Sequence, residues 1–64
     1  MTINDALITE LAITIRRESE KLSLAEREGS YLRIMQSASL IEDAGRQIGW
    51  RALELEKQAR YLAS

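Results

Sequence analysis

Arginine is the residue type in this 64-residue chain that is best suited to hold a charged ligand. Seven of the nine basic residues are arginine, and a guanidinium group can bind a carboxylate or a phosphate through two hydrogen bonds at once. Arg46 and Arg51 flank Gly49 and Trp50, so guanidinium groups and an indole ring lie close together for contact with a phosphate and a base. These two arginines are the candidate phosphate-binding residues.

The remaining composition gives no basis for catalysis. The chain has no histidine and no cysteine, so the usual general bases, nucleophiles and zinc ligands are missing, and its carboxylates have no partner of that kind. We therefore expect a protein that is not an enzyme and uses no cofactor or metal. The net charge of −1 argues against a protein that coats DNA or a basic membrane-surface helix. No stretch has the apolar length of a membrane span, and we expect a cytoplasmic protein.

The elements that must position these residues are helices, because the sequence repeats every seven residues from Tyr31 to Leu62. Small residues occupy one position of the repeat and large aliphatic residues another, three residues later. This 3/4 spacing is typical of a helix that packs along a seam against other helices. The predicted seam consists of Ile34, Ala38, Ile41, Gly45, Ile48, Ala52, Leu55, Ala59 and Leu62.

The length of the chain favours self-association of these helices. A single core in 64 residues supplies little net stability, and disulfides are excluded by the absence of cysteine. Without proline, and with three glycines, the chain contains few helix breakers. The sequence therefore predicts one all-α domain over 1–64, a helical hairpin with a long second helix. We expect it to assemble into an antiparallel four-helix-bundle dimer or a higher helical oligomer.

The helix boundaries are predicted from capping signals. Thr2 and Asp5 form a weak capping box, so helix 1 is predicted at about 3–22 and helix 2 at about 30–63. The turn lies within 22–30 and has three alternatives. A capping box at 23–26 could start helix 2 early, or a left-handed glycine could be followed by a serine cap at 29–30. One short helical segment between two longer helices would also fit.

Two glycines and one glutamate have alternative interpretations. Gly45 and Gly49 either allow a close helix crossing or line a notch for a ligand, and the i,i+4 pair of Glu42 with Arg46 supports a continuous helix across them. Glu18 falls within the apolar face of helix 1. It either reaches outward to water or makes a buried contact with an arginine of helix 2, Arg33 or Arg51. The apolar face itself consists of Leu7, Ile8, Leu11, Ile15 and Leu22.

A second apolar surface lies on helix 2, away from the seam. Leu32 and Met35 form one end, Trp50 and Leu53 form the other, and polar residues separate them. Exposed tryptophan and methionine are typical of protein interfaces. The surface is a candidate partner-binding site, a lateral interface in a higher oligomer, or a surface covered by helix 1.

The size, the helical content and the alternation of small and large seam residues resemble the plasmid Rop-type hairpin. That family forms an antiparallel four-helix dimer that binds paired RNA loops, and the resemblance implies such an assembly without carrying over any RNA-contacting residue. The segment Arg27-Glu28-Gly29-Ser30, which leads into a long helix, resembles the helical hairpins of phage proteins that sequester cyclic nucleotide signals.

The functional expectation follows from assembly without catalytic residues. We expect a small regulatory, inhibitory or adaptor protein, of the kind found in phages and plasmids, that binds itself and another protein and does not bind membranes. The alternative is an oligomeric binder of a phosphate-bearing ligand, either an RNA hairpin or a cyclic nucleotide, in which arginines of neighbouring chains converge.

Overall fold

The chain folds as two antiparallel α-helices joined by a tight turn. The computed structural model describes residues 2–63, and within them α1 covers Ala6–Glu28 and α2 covers Tyr31–Ala63. The described residues contain no strand and form a body of 53 × 17 × 13 Å. The all-α hairpin with a long second helix is thus confirmed, and the helices pack on each other along α1.

Helix α1 differs from its predicted span of about 3–22 at both ends. Asp5, rather than Thr2, is the N-cap, since its side chain accepts a hydrogen bond from the Ile8 N–H at 3.0 Å. At the other end the helix continues to Glu28, because Gly29 adopts the left-handed conformation (φ 71°) that closes a helix. The Ser30 N–H donates to the Ala25 carbonyl at 2.9 Å and completes that closure.

The turn is therefore the glycine–serine alternative and not the capping box at 23–26. Ser30 Oγ accepts a hydrogen bond from the Arg33 N–H at 3.3 Å and so caps α2. Helix α2 then runs without a break through Gly45 and Gly49. Glu42 and Arg46 form the ion pair expected for a continuous helix, with 2.9 Å between Oε1 and Nη2.

The contact between the helices buries little. Among residues 2–63, Ala25 and Ala44 are the buried hydrophobic residues, with 1% and 3% of their surfaces exposed, and no large side chain in that range is fully buried. The hairpin exposes 5432 Å², whereas a compact monomer of this mass exposes about 4,200 Å². The excess of about 1,200 Å² is larger than the roughly 800 Å² that each partner contributes to a standard protein interface. The hairpin therefore exposes more surface than a compact protein of its mass.

Helix α2 also extends past the end of α1. Arg51 lies opposite Asp5, at the beginning of α1, so residues 52–63 continue for about 18 Å at 1.5 Å per residue. We call this segment the overhang. Leu62 and Tyr61 within it are more than four-fifths exposed.

Candidate functional site

The four candidate partner-binding residues lie together on the side of α2 that faces away from α1, which we call the outer surface. Leu32, Met35 and Trp50 are each about two-thirds exposed, and Leu53 is 40% exposed. Residues 35 and 50 are separated by about 22 Å along the helix. Helix α1 does not cover this surface, so that interpretation of the sequence is wrong.

The polar middle of the outer surface is paired within α2. Arg46 bonds to Glu42, and the Gln47 side chain donates to Asp43 Oδ2 at 2.9 Å. These i,i+4 contacts satisfy the polar groups between the two apolar ends without help from another molecule. A partner that contacts both ends would therefore not leave these four side chains unpaired.

The nine seam residues are divided between two environments. The large residues Ile34, Ile41, Ile48 and Leu55 are half-buried. The small residues are exposed, and Leu62 is exposed in the overhang. We call these small residues the small-residue row: Ala38, Gly45, Ala52 and Ala59.

A different set of residues of α2 makes the closest contact with α1. Ser37 and Ala44 are buried and Arg51 is half-buried, and they too are spaced by seven. Around α2, the large residues lie between this set on one flank and the small-residue row on the other. The sequence analysis missed this set because serine and arginine do not stand out as seam residues.

The large residues of both helices lie on one side of the hairpin. In α1, Glu18 and Ala25 are buried, whereas Ile15 and Leu22, three residues before each, are half-buried. Helix α2 shows the same order, with a half-buried large residue three residues before each buried small one. In both helices the large residues thus lie three positions before the residues at the helix contact. Because the helices are antiparallel, this spacing places the large residues of both helices on the same side of the hairpin. We call it the apolar side, and its large residues are Ile8, Ile15, Leu22, Ile34, Ile41, Ile48 and Leu55.

The opposite side of the hairpin is a more polar groove of about 340 Å³. Glu18 is buried there, with 5% of its side chain exposed, and its Oε2 lies 3.2 Å from Lys21 Nζ and 3.8 Å from Arg17 Nε. The expectation that Glu18 reaches outward is wrong. The buried alternative is correct in burial but not in partner, since its cations come from α1. The groove is lined by Glu18, Lys21, Leu24, Ala25, Arg33, Gln36, Ser37 and Leu40.

The arginines considered for phosphate binding already contact carboxylates. Arg46 is paired with Glu42. Arg51 donates from Nε and Nη2 to Asp5 Oδ2, at 3.1 and 3.0 Å, and from Nη1 to Glu54 at 3.2 Å. A phosphate at either guanidinium would have to compete with these carboxylates, and the two arginines point to different partners within the hairpin.

The contact between Asp5 and Arg51 fastens the start of α1 to α2. The hydrogen bond from Arg51, followed by that from the Ile8 N–H, holds the pKa of the Asp5 carboxyl below its ordinary value. The same hydrogen bond to Asp5 raises the pKa of Arg51 above its ordinary value. Asp5 therefore has two roles, as the cap of α1 and as a link between the helices, and the sequence analysis predicted only a part in capping.

This link should make the stability of the hairpin depend on pH. Because the pKa of Asp5 is lower in the folded protein, its contribution is complete above the unfolded pKa and disappears as the pH falls through the folded one. We expect Asp5→Asn, which keeps a capping side chain, to lower the thermal midpoint by several degrees at pH 7. The midpoints of variant and wild type should converge as the pH falls below the lowered pKa that Asp5 has in the folded protein. Thermal unfolding followed by circular dichroism at fixed protein concentration measures this, and a difference that stays constant with pH would contradict it.

The described residues were compared with the features of metal sites and of membrane-spanning helices. Among residues 2–63 no group of three or more acidic side chains is placed to hold a metal ion. No helix in that range combines the length and the apolar character needed to cross a membrane. In comparison with known proteins, no family model, curated protein or solved structure matches the chain.

Proposed function

We propose that this chain is a small, non-catalytic regulatory, inhibitory or adaptor protein of the cytoplasm. It acts through protein–protein contacts made by a self-associating helical bundle. The observation that carries the proposal is the exposure of three large side chains on α2, those of Trp50, Leu32 and Met35. Among residues 2–63 no large side chain is fully buried. Such residues are the usual anchors of protein interfaces.

Two separate apolar surfaces support two kinds of contact. The large residues of the apolar side border the contact between α1 and α2, and the small-residue row lies next to them on α2. A molecule that covers both would therefore extend the contact between the two helices. The outer surface lies on the far side of α2, and Trp50 and Leu53 on it stay accessible when the apolar side is covered. Self-association through the first surface and partner binding through the second are therefore compatible.

The pairing of the arginines favours this proposal over a phosphate-bearing ligand. Arg46 and Arg51 each lie at hydrogen-bond distance from a carboxylate, so a phosphate would have to displace that carboxylate. Phosphate-led binding would weaken steeply with salt, whereas contact through Trp50 and Leu53 would change little.

The proposal is tested by native mass spectrometry of the tagged protein purified from its own host. We expect a protein partner bound to the wild-type assembly, and its loss from the double variant Trp50→Ser, Leu53→Ser, with the assembly mass unchanged. The matched control is Ile13→Ser, Leu24→Ser, which removes two half-exposed aliphatic side chains of α1 and should retain the partner. A partner that survives loss of Trp50 and Leu53, or an assembly that carries only RNA or a nucleotide, would overturn the proposal.

A further inference from the structure

We propose that the apolar side of the hairpin binds a second copy of this chain, with α2 of one copy antiparallel to α2 of the other along their whole lengths. This inference rests on the self-association in the proposed function and deepens it by assigning the surface, the direction and the register. Three observations carry it: the excess surface, the overhang, and the order of small and large residues along α2.

The excess surface indicates that a contact of interface size is missing from the isolated hairpin. The hairpin exposes about 1,200 Å² more than a compact protein of its mass, and a second copy can bury this amount from each subunit. The half-buried large residues of both helices form a continuous strip on the apolar side, and a second copy placed there completes their burial.

The overhang indicates that the second copy covers α2, because α1 does not reach that segment of α2. Helix α1 begins beside Arg51, yet the repeat of α2 continues through Leu55, Ala59 and Leu62. A second α2 of equal length covers the overhang when it runs in the opposite direction. The overhang of each copy then lies against the turn end of the other, next to Leu22 and Ile34.

The order of residues fits one antiparallel register in particular. In this register a twofold axis passes between Arg46 and Gln47. A residue of one α2 then lies level, along the bundle, with the residue of the other α2 whose number brings the sum to 93. The two helices overlap over residues 31–62. Small residues then face large ones in every inner layer, which allows close and complete packing. The layers, with the second member from the second copy, are Tyr31 with Leu62, Ile34 with Ala59, Ala38 with Leu55, Ile41 with Ala52, and Gly45 with Ile48.

The charges beside the small-residue row favour this register over the next one. Glu42 and Glu56 flank the row, and in the proposed register they lie nearest Gly49 and Met35 of the second copy. Sliding one helix by seven residues also pairs small with large residues, but it places Glu42 beside Glu56 of the second copy. Like charges at such positions are destabilising.

Distances between spin labels test the direction and the register. Because the chain has no cysteine, single variants Ser39→Cys, Gln47→Cys and Lys57→Cys each carry one nitroxide at an exposed position of α2. Measured along the helix, we expect separations between the two copies of about 22 Å at residue 39, near zero at residue 47 and about 31 Å at residue 57. The width of the bundle adds to each of these, and double electron–electron resonance measures the longer distances.

The outcomes separate this inference from the proposed function. Shortest distances at residue 47 that lengthen in both directions support the antiparallel register. Similar distances at all three positions mean that the α2 helices run parallel, and a minimum displaced toward residue 50 means the register shifted by seven. Either result overturns the inference and leaves self-association intact. A mass of 7.3 kDa for the unlabelled protein at high concentration overturns both the inference and the bundle of the proposed function.

Discussion

Replacing Gly45 with leucine is expected to convert the associated protein into monomers without loss of helix. Among the described residues, a Cβ built on Gly45 meets nothing within 4 Å beyond the adjoining residues and backbone of its own helix, so one chain by itself accepts the side chain. Leucine also favours the helix over glycine by about 1 kcal/mol. The cost arises where a second helix approaches the small-residue row.

The size of that cost follows from the symmetry of the contact. Overpacking one site costs about 1–3 kcal/mol, and a twofold dimer contains the substitution twice. We expect the dissociation constant to rise by roughly 100-fold, since each 1.4 kcal/mol is a factor of ten. Light scattering or sedimentation gives the mass, and circular dichroism gives the helix content.

Gly45→Ala is the matched control, because alanine already occupies the other three positions of the row. It should keep the wild-type mass and raise the thermal midpoint. If Gly45→Leu also raises the midpoint at unchanged mass, leucine is acting through helix propensity alone. No second helix would then pack closely on Gly45.

The hairpin could be predicted from the sequence because two strong local signals agree. The seven-residue repeat from Tyr31 to Leu62 identifies a long helix, and the Gly29–Ser30 pair supplies a left-handed residue and a cap. The capping box at 23–26 was misleading, since Ser23 and Glu26 are also tolerated within a helix. Burial of Ala25 against α2, a tertiary contact, decides between the two alternatives.

The arrangement of the surfaces was only partly predictable. The position of Trp50 away from the repeat places it outside the seam, but the sequence left open whether helix 1 covers it. A repeat with spacings of three and four does not specify which flank of Ile41 contacts α1. Ala38 and Gly45 lie on one flank of Ile41, and Ser37 and Ala44 lie on the other. The pairing of Asp5 with Arg51 depends on the register of two helices, which no local pattern specifies.

Replacing the buried Glu18 with leucine is expected to stabilise the hairpin. Its carboxylate lies at the helix contact, while the cations beside it, Lys21 and Arg17, are both more than 60% exposed. Burying a charge costs free energy that an exposed partner offsets poorly, and apolar replacements of buried ion pairs are often stabilising by 1–4 kcal/mol. We expect a gain of about 2 kcal/mol and a rise in thermal midpoint of roughly 10 °C.

Glu18→Gln and Glu20→Leu are the controls for this prediction. Glutamine keeps a polar group at the contact but loses the ion pair with Lys21, so it should give no gain. Glu20 is exposed, and leucine there should change stability by less than about 0.5 kcal/mol. Loss of stability in Glu18→Leu would show instead that the ion pair with Lys21 is favourable overall.

A gain in Glu18→Leu would mean that the glutamate is kept at a cost in stability. The groove around it also contains Leu24 and Leu40, so leucine at position 18 creates a second apolar strip on the hairpin. We then expect the variant to form species larger than the dimer as its concentration rises, which sedimentation would detect. Glu18 would thus restrict self-association to the apolar side, because a buried charge on the opposite side makes association there unfavourable.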